Sequence, residues 1–169
     1  MELRVMPREN FDAFYDTLES AFDRSERRER EDALRTIDFP EFSVLEIHVN
    51  GVISGYVSVW ALDGFAFIEH FVILEEYRNR GYGAEVLLKL KERFPNIVLE
   101  AEPPTEELRR RRLAFYRRCG FFENDFPYLQ PSYRKGEEGV PLVIMSFPDR
   151  LSDFDGTVLK IYRTVYGLG

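Results

Sequence analysis

The sequence predicts a mixed α/β fold built on a mostly antiparallel sheet flanked by helices. Three observations predict it. Strand-like runs at 42–49, 52–62 and 65–74 are separated by Asn50-Gly51 and Asp63-Gly64. Both dipeptides favour two-residue hairpin turns, so the three runs form an antiparallel meander. The third run passes through a glycine-bearing turn into helical spacing at 81–94, and strand-like and helical segments then alternate to the C-terminus.

Each element has its own warrant. Leu3-Arg4-Val5-Met6 reads as a short first strand. Phe11, Phe14, Tyr15, Leu18 and Phe22 recur at three- and four-residue intervals, the pattern of an amphipathic helix over 11–22. Residues 25–35 read as a charged helix with Ala33, Leu34 and Ile37 as its few apolar contacts, its charges forming a solvated face. After a strand at 97–101, Pro103-Pro104 breaks the chain. Thr105 is placed as N-cap of the next helix, with Glu106 and Glu107 in its first turn. That helix runs to Cys119 and stops at Gly120, with Arg117 and Arg118 at its negative end. Strands at 126–133 and 140–147 flank the polar loop 134–139. Phe154, Val158, Leu159, Ile161, Tyr162 and Val165 mark a final amphipathic helix. No repeat, low-complexity tract or linker interrupts this order, so residues 1–169 are expected to form a single domain.

Composition narrows the partners. With 44% hydrophobic and 31% charged residues, the chain has the make-up of a soluble globular protein. A formal net charge of −7 disfavours nucleic acid and anionic membranes. No run approaches the roughly 20 apolar residues that span a bilayer. Met1-Glu2-Leu3-Arg4 lacks the basic and apolar regions of a signal peptide. Cys119 is the single cysteine, which excludes an internal disulfide, and the two histidines are far apart, which argues against a structural metal site. A cytoplasmic location is expected.

The chemistry concentrates in Tyr77-Arg78-Asn79-Arg80-Gly81-Tyr82-Gly83-Ala84. Two glycines let backbone approach a ligand closely, and the helix start offers unpaired N–H groups to an anion. Arg78, Arg80, Lys89 and Arg93 supply a local basic patch in an acidic chain. No Gly-Lys-Ser/Thr follows, so this is not a P-loop, and the glycine spacing does not fit a dinucleotide fingerprint. A second motif, Ala114-Phe115-Tyr116-Arg117-Arg118-Cys119-Gly120-Phe121, closes the later helix.

Together, R-x-x-G-x-G at Arg78 to Gly83 and the F-Y-x-x-x-G-F helix end resemble the GNAT superfamily of N-acetyltransferases, which use acetyl-coenzyme A. The resemblance is strongest over 68–121 and extends over 42–147. It implies the GNAT (acyl-CoA N-acyltransferase) fold, here with an extra C-terminal helix. It also implies acetyl transfer from acetyl-CoA to a primary amine, without a metal or a covalent enzyme intermediate. Backbone amides from Arg78 to Ala84 would hold the pyrophosphate, with Arg80, Gly81, Gly83 and Ala84 as main suppliers and Tyr82 between the glycines. Phe71, Val72 and Ile73 would pair their backbone with the pantetheine arm, where the family splays its strands. An N–H from Phe71 would meet the thioester oxygen. Tyr116 matches the family tyrosine that protonates the departing thiolate; the alternative for it is core packing.

Glu69 stands where the family often places a general base. Strand alternation puts it on the face of Phe71 and Ile73, opposite His70. His70 is the alternative base by its ordinary pKa. Glu100 or Glu102 could instead hold the acceptor's ammonium group. Arg109 and Arg112 replace an Asn and an Ala frequent in the family; either they reach a phosphate or they form a solvated basic face. Cys119 sits at a helix C-terminus, where the dipole disfavours a thiolate nucleophile. Tyr128, Tyr133 and nearby carboxylates favour a small polar or cationic amine acceptor, with a peptide or protein amine as the enzymatic alternative. A non-catalytic acyl-CoA-binding sensor is the alternative outside enzymes. The aromatic content and the extra helix leave room for a homodimer interface.

Overall fold

The computed structural model of the protein describes residues 1–168. Its strands are β1 (Glu2–Val5), β2 (Phe42–Val49), β3 (Val52–Leu62), β4 (Phe65–Ile73), β5 (Ile97–Ala101), β6 (Phe122–Glu123), β7 (Tyr128–Gln130) and β8 (Val140–Phe147). Its helices are α1 (Phe11–Ala21), α2 (Arg30–Thr36), α3 (Tyr82–Arg93), α4 (Glu107–Arg118) and α5 (Phe154–Thr164). The strands run β1-β2-β3-β4-β5-β8-β6 across the sheet, with β7 on β8. Among the described residues only β4 and β5 pair in parallel, through the crossover helix α3. The first hairpin turns at Asn50 (φ 53°) and Gly51 (φ 82°), the left-handed pair that a two-residue loop requires.

Alternation along the strands sends two sets of side chains to opposite faces. Leu45, Ile47, Val57, Val59, Ile68 and Leu99 pack against Val86, Leu87 and Leu90 of α3 and Leu113 of α4. On the other face, α1 and α2 cover Val44, Tyr56 and Val72. Beside them, α5 covers Trp60, Phe67, Val98 and Ile144. Among the described residues, no helix is long and apolar enough to cross a membrane.

Two irregularities in β4 open the sheet and set its side chains. Ser58 of β3 pairs with His70 and Val59 pairs with Ile68, so Glu69 is an extra, bulged residue. Farther across, β4 and β5 share only the rungs Ala66↔Ile97, Phe67↔Val98 and Ile68↔Leu99. Beyond Ile68 and Leu99 the two strands part.

Several expectations are revised. Residues 25–35 are not one helix: a 3-10 turn at Arg24–Glu26 is followed by an extended break and then α2. The break turns Arg27 and Arg28 inward, with side chains only 14% and 11% exposed: Arg27 donates to the Tyr15 hydroxyl (2.8 Å) and Arg28 pairs with Glu69. The N-cap of α4 is Glu106 rather than Thr105, whose hydroxyl instead accepts a hydrogen bond from Arg109. Of the expected strand 126–133 only Tyr128–Gln130 pairs, and Phe122–Glu123 forms a short strand that hydrophobic patterning did not mark.

Candidate active site

A cleft of about 1090 Å³ opens where β4 and β5 part. One end is walled by the start of α3, Phe71, Ala101, Phe115 and Tyr116; the other by Phe22, Glu26, His70, Glu100 and Gln130. Phe71, Ala101, Phe115 and Tyr116 belong to the α3/α4 layer. Phe22 belongs to the layer of α1. The cleft therefore passes through the sheet.

The α3 end is built for an anion. Gly81 is the N-cap of α3 with φ 82°, a conformation open to glycine at little cost. Asn79 just before it is also left-handed, at φ 60°. In this winding turn the Arg78 amide bonds to the Glu75 carbonyl (3.1 Å) and the Ala84 amide to the Gly81 carbonyl (3.1 Å). The amides of Asn79, Arg80, Gly81, Tyr82 and Gly83 between them have no acceptor among the described residues. Successive free amides at a helix start form a nest for a phosphate. The Ala84 amide, expected among the donors, is engaged inside the helix. Gly83 serves close approach: a Cβ there would lie 3.2 Å from Phe115 Cζ and 3.8 Å from Phe71 Cζ. Arg78 lines the cleft and donates through Nε to the Ile73 carbonyl (2.9 Å). Arg80 stands over the Tyr77 ring at 5.9 Å and is not part of the lining.

Phe71 and Ile73 pack toward α3 and α4, and Val72 toward α1, so all three line the cleft from the free edge of β4. Tyr116 reaches the same space from α4. Its ring sits between Phe115 (5.3 Å) and Phe121 (5.9 Å) and is 7% exposed. Burial pushes the phenol up to about 12, so it stays protonated at neutral pH. The hydroxyl makes no hydrogen bond among the described residues and is free for a ligand. Cys119, three residues on, has its thiol pushed up by burial, although Lys91 and Arg118 pull the other way.

The bulge corrects the expected placement of Glu69. It puts Glu69 on the side of Trp60 and His70, away from Phe71 and Ile73. There the carboxylate pairs with Arg28 and accepts from Trp60 Nε1 (2.9 Å) and the Tyr133 hydroxyl (2.9 Å). Its side chain is 1% exposed, while the residue as a whole is only half-buried, so what Glu69 presents outward is largely backbone. Burial works against the charge, yet the Arg28 guanidinium and the Trp60 hydrogen bond hold the carboxyl below its ordinary value. His70 is buried between Ser58 Oγ (3.3 Å) and the Glu26 carbonyl (2.9 Å), and burial lowers its pKa, leaving it neutral.

Glu100 has different company. Its carboxylate accepts from the Tyr128 hydroxyl and, at 3.0 Å to each oxygen, from Tyr166. Burial pushes it up to about 7. Glu102 is paired with Arg109 (2.9 Å) and Arg112 (2.5 Å), which explains both arginines; Arg111 and Arg112 also line the cleft. The loop carrying Tyr133 is tied down by Arg134, 8% exposed, which bonds to Glu29 (2.7 Å) and to the Arg27 carbonyl (3.2 Å). Arg28 and Tyr166 escaped sequence reasoning. One lay in a run that reads as solvated, the other past the last helix, and no local pattern marks either.

The family model of the acetyltransferase (GNAT) family matches residues 9–121. A GNAT-family protein of known structure from Bacteroides thetaiotaomicron is 30% identical over 100% of both chains, with a TM-score of 0.94. A spermidine N-acetyltransferase variant from Vibrio cholerae is 12% identical, covering 93% of this chain and 99% of its own, with a TM-score of 0.65. An aminoglycoside 6'-N-acetyltransferase complexed with coenzyme A is 15% identical over 86% and 96%, with a TM-score of 0.61. These last two likenesses are of fold. No curated protein matches the chain. The matched family model, the full-length relative and the cleft between parted strands agree: the chain belongs to the GNAT family of N-acetyltransferases.

Proposed function

We propose that the protein moves the acetyl group of acetyl-CoA directly to a primary amine, most readily that of a small polar or cationic molecule. One observation carries this reading: the amides of Asn79, Gly81, Tyr82 and Gly83 and the hydroxyl of Tyr116, all without a partner among the described residues, belong to one cleft that passes through the sheet. The fit to coenzyme A is good. The amide nest and Arg78 would take the pyrophosphate. The free edge of β4 would pair with the pantetheine arm through the backbone of Phe71 and Ile73, as a strand would; Val72, two residues before the Leu74 amide that bonds to Ser54, turns its own backbone groups to β3. The amine enters from the face of α1 and β7, so the reactants approach from opposite sides of the sheet.

In the reaction the amine nitrogen attacks the thioester carbon, a C–N bond forms and the C–S bond breaks. Tyr116 donates a hydrogen bond to the sulfur as it gains charge, sharing its proton with a leaving group whose thiol pKa is about 8.5. Holding both reactants in one cleft supplies much of the acceleration. Glu26 and Glu100 at the far end have no ion-pair partner among the described residues, and they favour a cationic acceptor over an anionic one. The spermidine and aminoglycoside enzymes of the same fold act on amines of that kind. Work in a reducing cytoplasm suits a chain with one cysteine.

The test is thiol release from acetyl-CoA in the presence of spermidine, an aminoglycoside or a peptide with a free N-terminal alanine. Amine-dependent release with one of the first two supports the reading. Release with the peptide alone moves the acceptor to protein amines. No release, with acetyl-CoA bound, makes the protein an acyl-CoA sensor.

A further inference from the structure

We infer that Glu100 takes the proton from the attacking amine, with Tyr128 and Tyr166 positioning its carboxylate. This rests on the transferase reading above and assigns within it a role that Glu69 was expected to fill.

The geometry points to this pair of carboxylates and then separates them. Glu69 and Glu100 each follow the last rung between β4 and β5, and both line the cleft there. They share a face of the sheet, because the bulge turns Glu69 toward Trp60 and alternation turns Glu100 away from Leu99 and Ala101. Glu69 is committed to a buried guanidinium and two further donors. It stays ionised and has little affinity for a proton. Glu100 takes its hydrogen bonds from neutral hydroxyls, the Arg28 guanidinium nearby being already paired with Glu69, and burial brings it to about 7. Two nearby carboxylates whose surroundings drive their affinities apart divide into a fixed charge and a proton carrier. A base is most effective when its pKa lies near the working pH.

The groups facing Glu100 are Tyr128 on β7, Tyr162 on α5, Tyr166 after it, Tyr133 in the β7–β8 loop, Glu69 on β4 and Arg28 before α2. Beside Tyr128 on the same face of β7, Gln130 is 3% exposed, lines the cleft and leaves Oε1 without a donor. An ammonium group is the kind of donor this wall lacks. The protons balance. The ammonium gives one to the Glu100 carboxylate, which passes it to solvent. The free amine forms the C–N bond and its next proton ends on the departing sulfur. Amide, free thiol and one released proton result.

The experiment compares pH profiles of kcat/KM for the wild type, Glu100→Gln, Glu100→Asp and Tyr128→Phe. The acceptor probes are spermidine, an aminoglycoside and an N-terminal-alanine peptide, and acetyl-CoA affinity is measured in parallel. Glu100→Gln should lose about 100-fold or more in rate with acetyl-CoA affinity intact. Glu100→Asp should keep a pH-dependent rate. Tyr128→Phe removes a hydrogen bond to the charged form and should move the acid limb upward by up to about one pH unit. A merely structural role would leave that limb in place. Wild-type rates in Glu100→Gln, or an unmoved limb in Tyr128→Phe, would overturn the assignment and leave the transferase reading standing. Acetyl-CoA binding without turnover of any probe by the wild type would overturn both.

Discussion

Glu69 and Glu100 are the first residues beyond the Ile68↔Leu99 rung, the last that joins β4 to β5. The sheet opens at two carboxylates with unlike neighbours. One is tied to Arg28 and through it to the Val165 carbonyl (2.6 Å), so the charge pair also clips the end of α5 to the sheet. The other is enclosed by tyrosine hydroxyls.

The buried pair predicts a large stability effect. Glu69→Gln leaves the Arg28 guanidinium buried without its counter-charge, and about 3–5 kcal/mol should be lost. Replacing both partners, as Arg28→Met with Glu69→Gln, should recover a good part of that. Denaturant unfolding of the two single variants and the double variant checks this; equal losses in all three would contradict it.

Glu100 predicts a pH effect of known sign. Its folded pKa, about 7, lies above the ordinary 4.5. Between those values the folded protein binds more protons than the unfolded chain, so this contribution to stability is complete below about 4.5 and lost as pH rises through about 7. Glu100→Gln cannot titrate. The wild type should therefore lose on the order of 1–3 kcal/mol relative to this variant between pH 5 and pH 8. Unfolding of both proteins at the two pH values reads the difference directly.

Tyr116→Phe separates packing from chemistry. The ring stays between Phe115 and Phe121, and the lost hydroxyl had no partner, so stability should change by less than about 0.5 kcal/mol. The rate should fall by about 100-fold, with KM for acetyl-CoA little changed. A destabilised but fully active variant would make Tyr116 a core residue only.

Much of this was legible because it is local. The hairpins at Asn50-Gly51 and Asp63-Gly64 and the turn from Arg78 to Gly83 are dictated by neighbouring residues and appear where the sequence puts them. What escaped depends on distant partners. Arg28 meets Glu69 only because the chain breaks between the 3-10 turn and α2, and Tyr166 meets Glu100 only once α5 has docked. The face of Glu69 was misread because alternation presumes an unbroken register, and a single bulged residue reverses it.

Calorimetric titration with acetyl-CoA, run beside Gly81→Glu, asks whether the turn at Arg78 to Gly83 holds the coenzyme. The variant forces a side chain onto a left-handed residue, costing about 1–2 kcal/mol of local strain, and sets a carboxylate at the amide nest. The wild type should bind saturably, and a variant that still folds should lose at least about tenfold in affinity. No binding by the wild type would make the turn at Arg78 to Gly83 architecture alone and contradict the account.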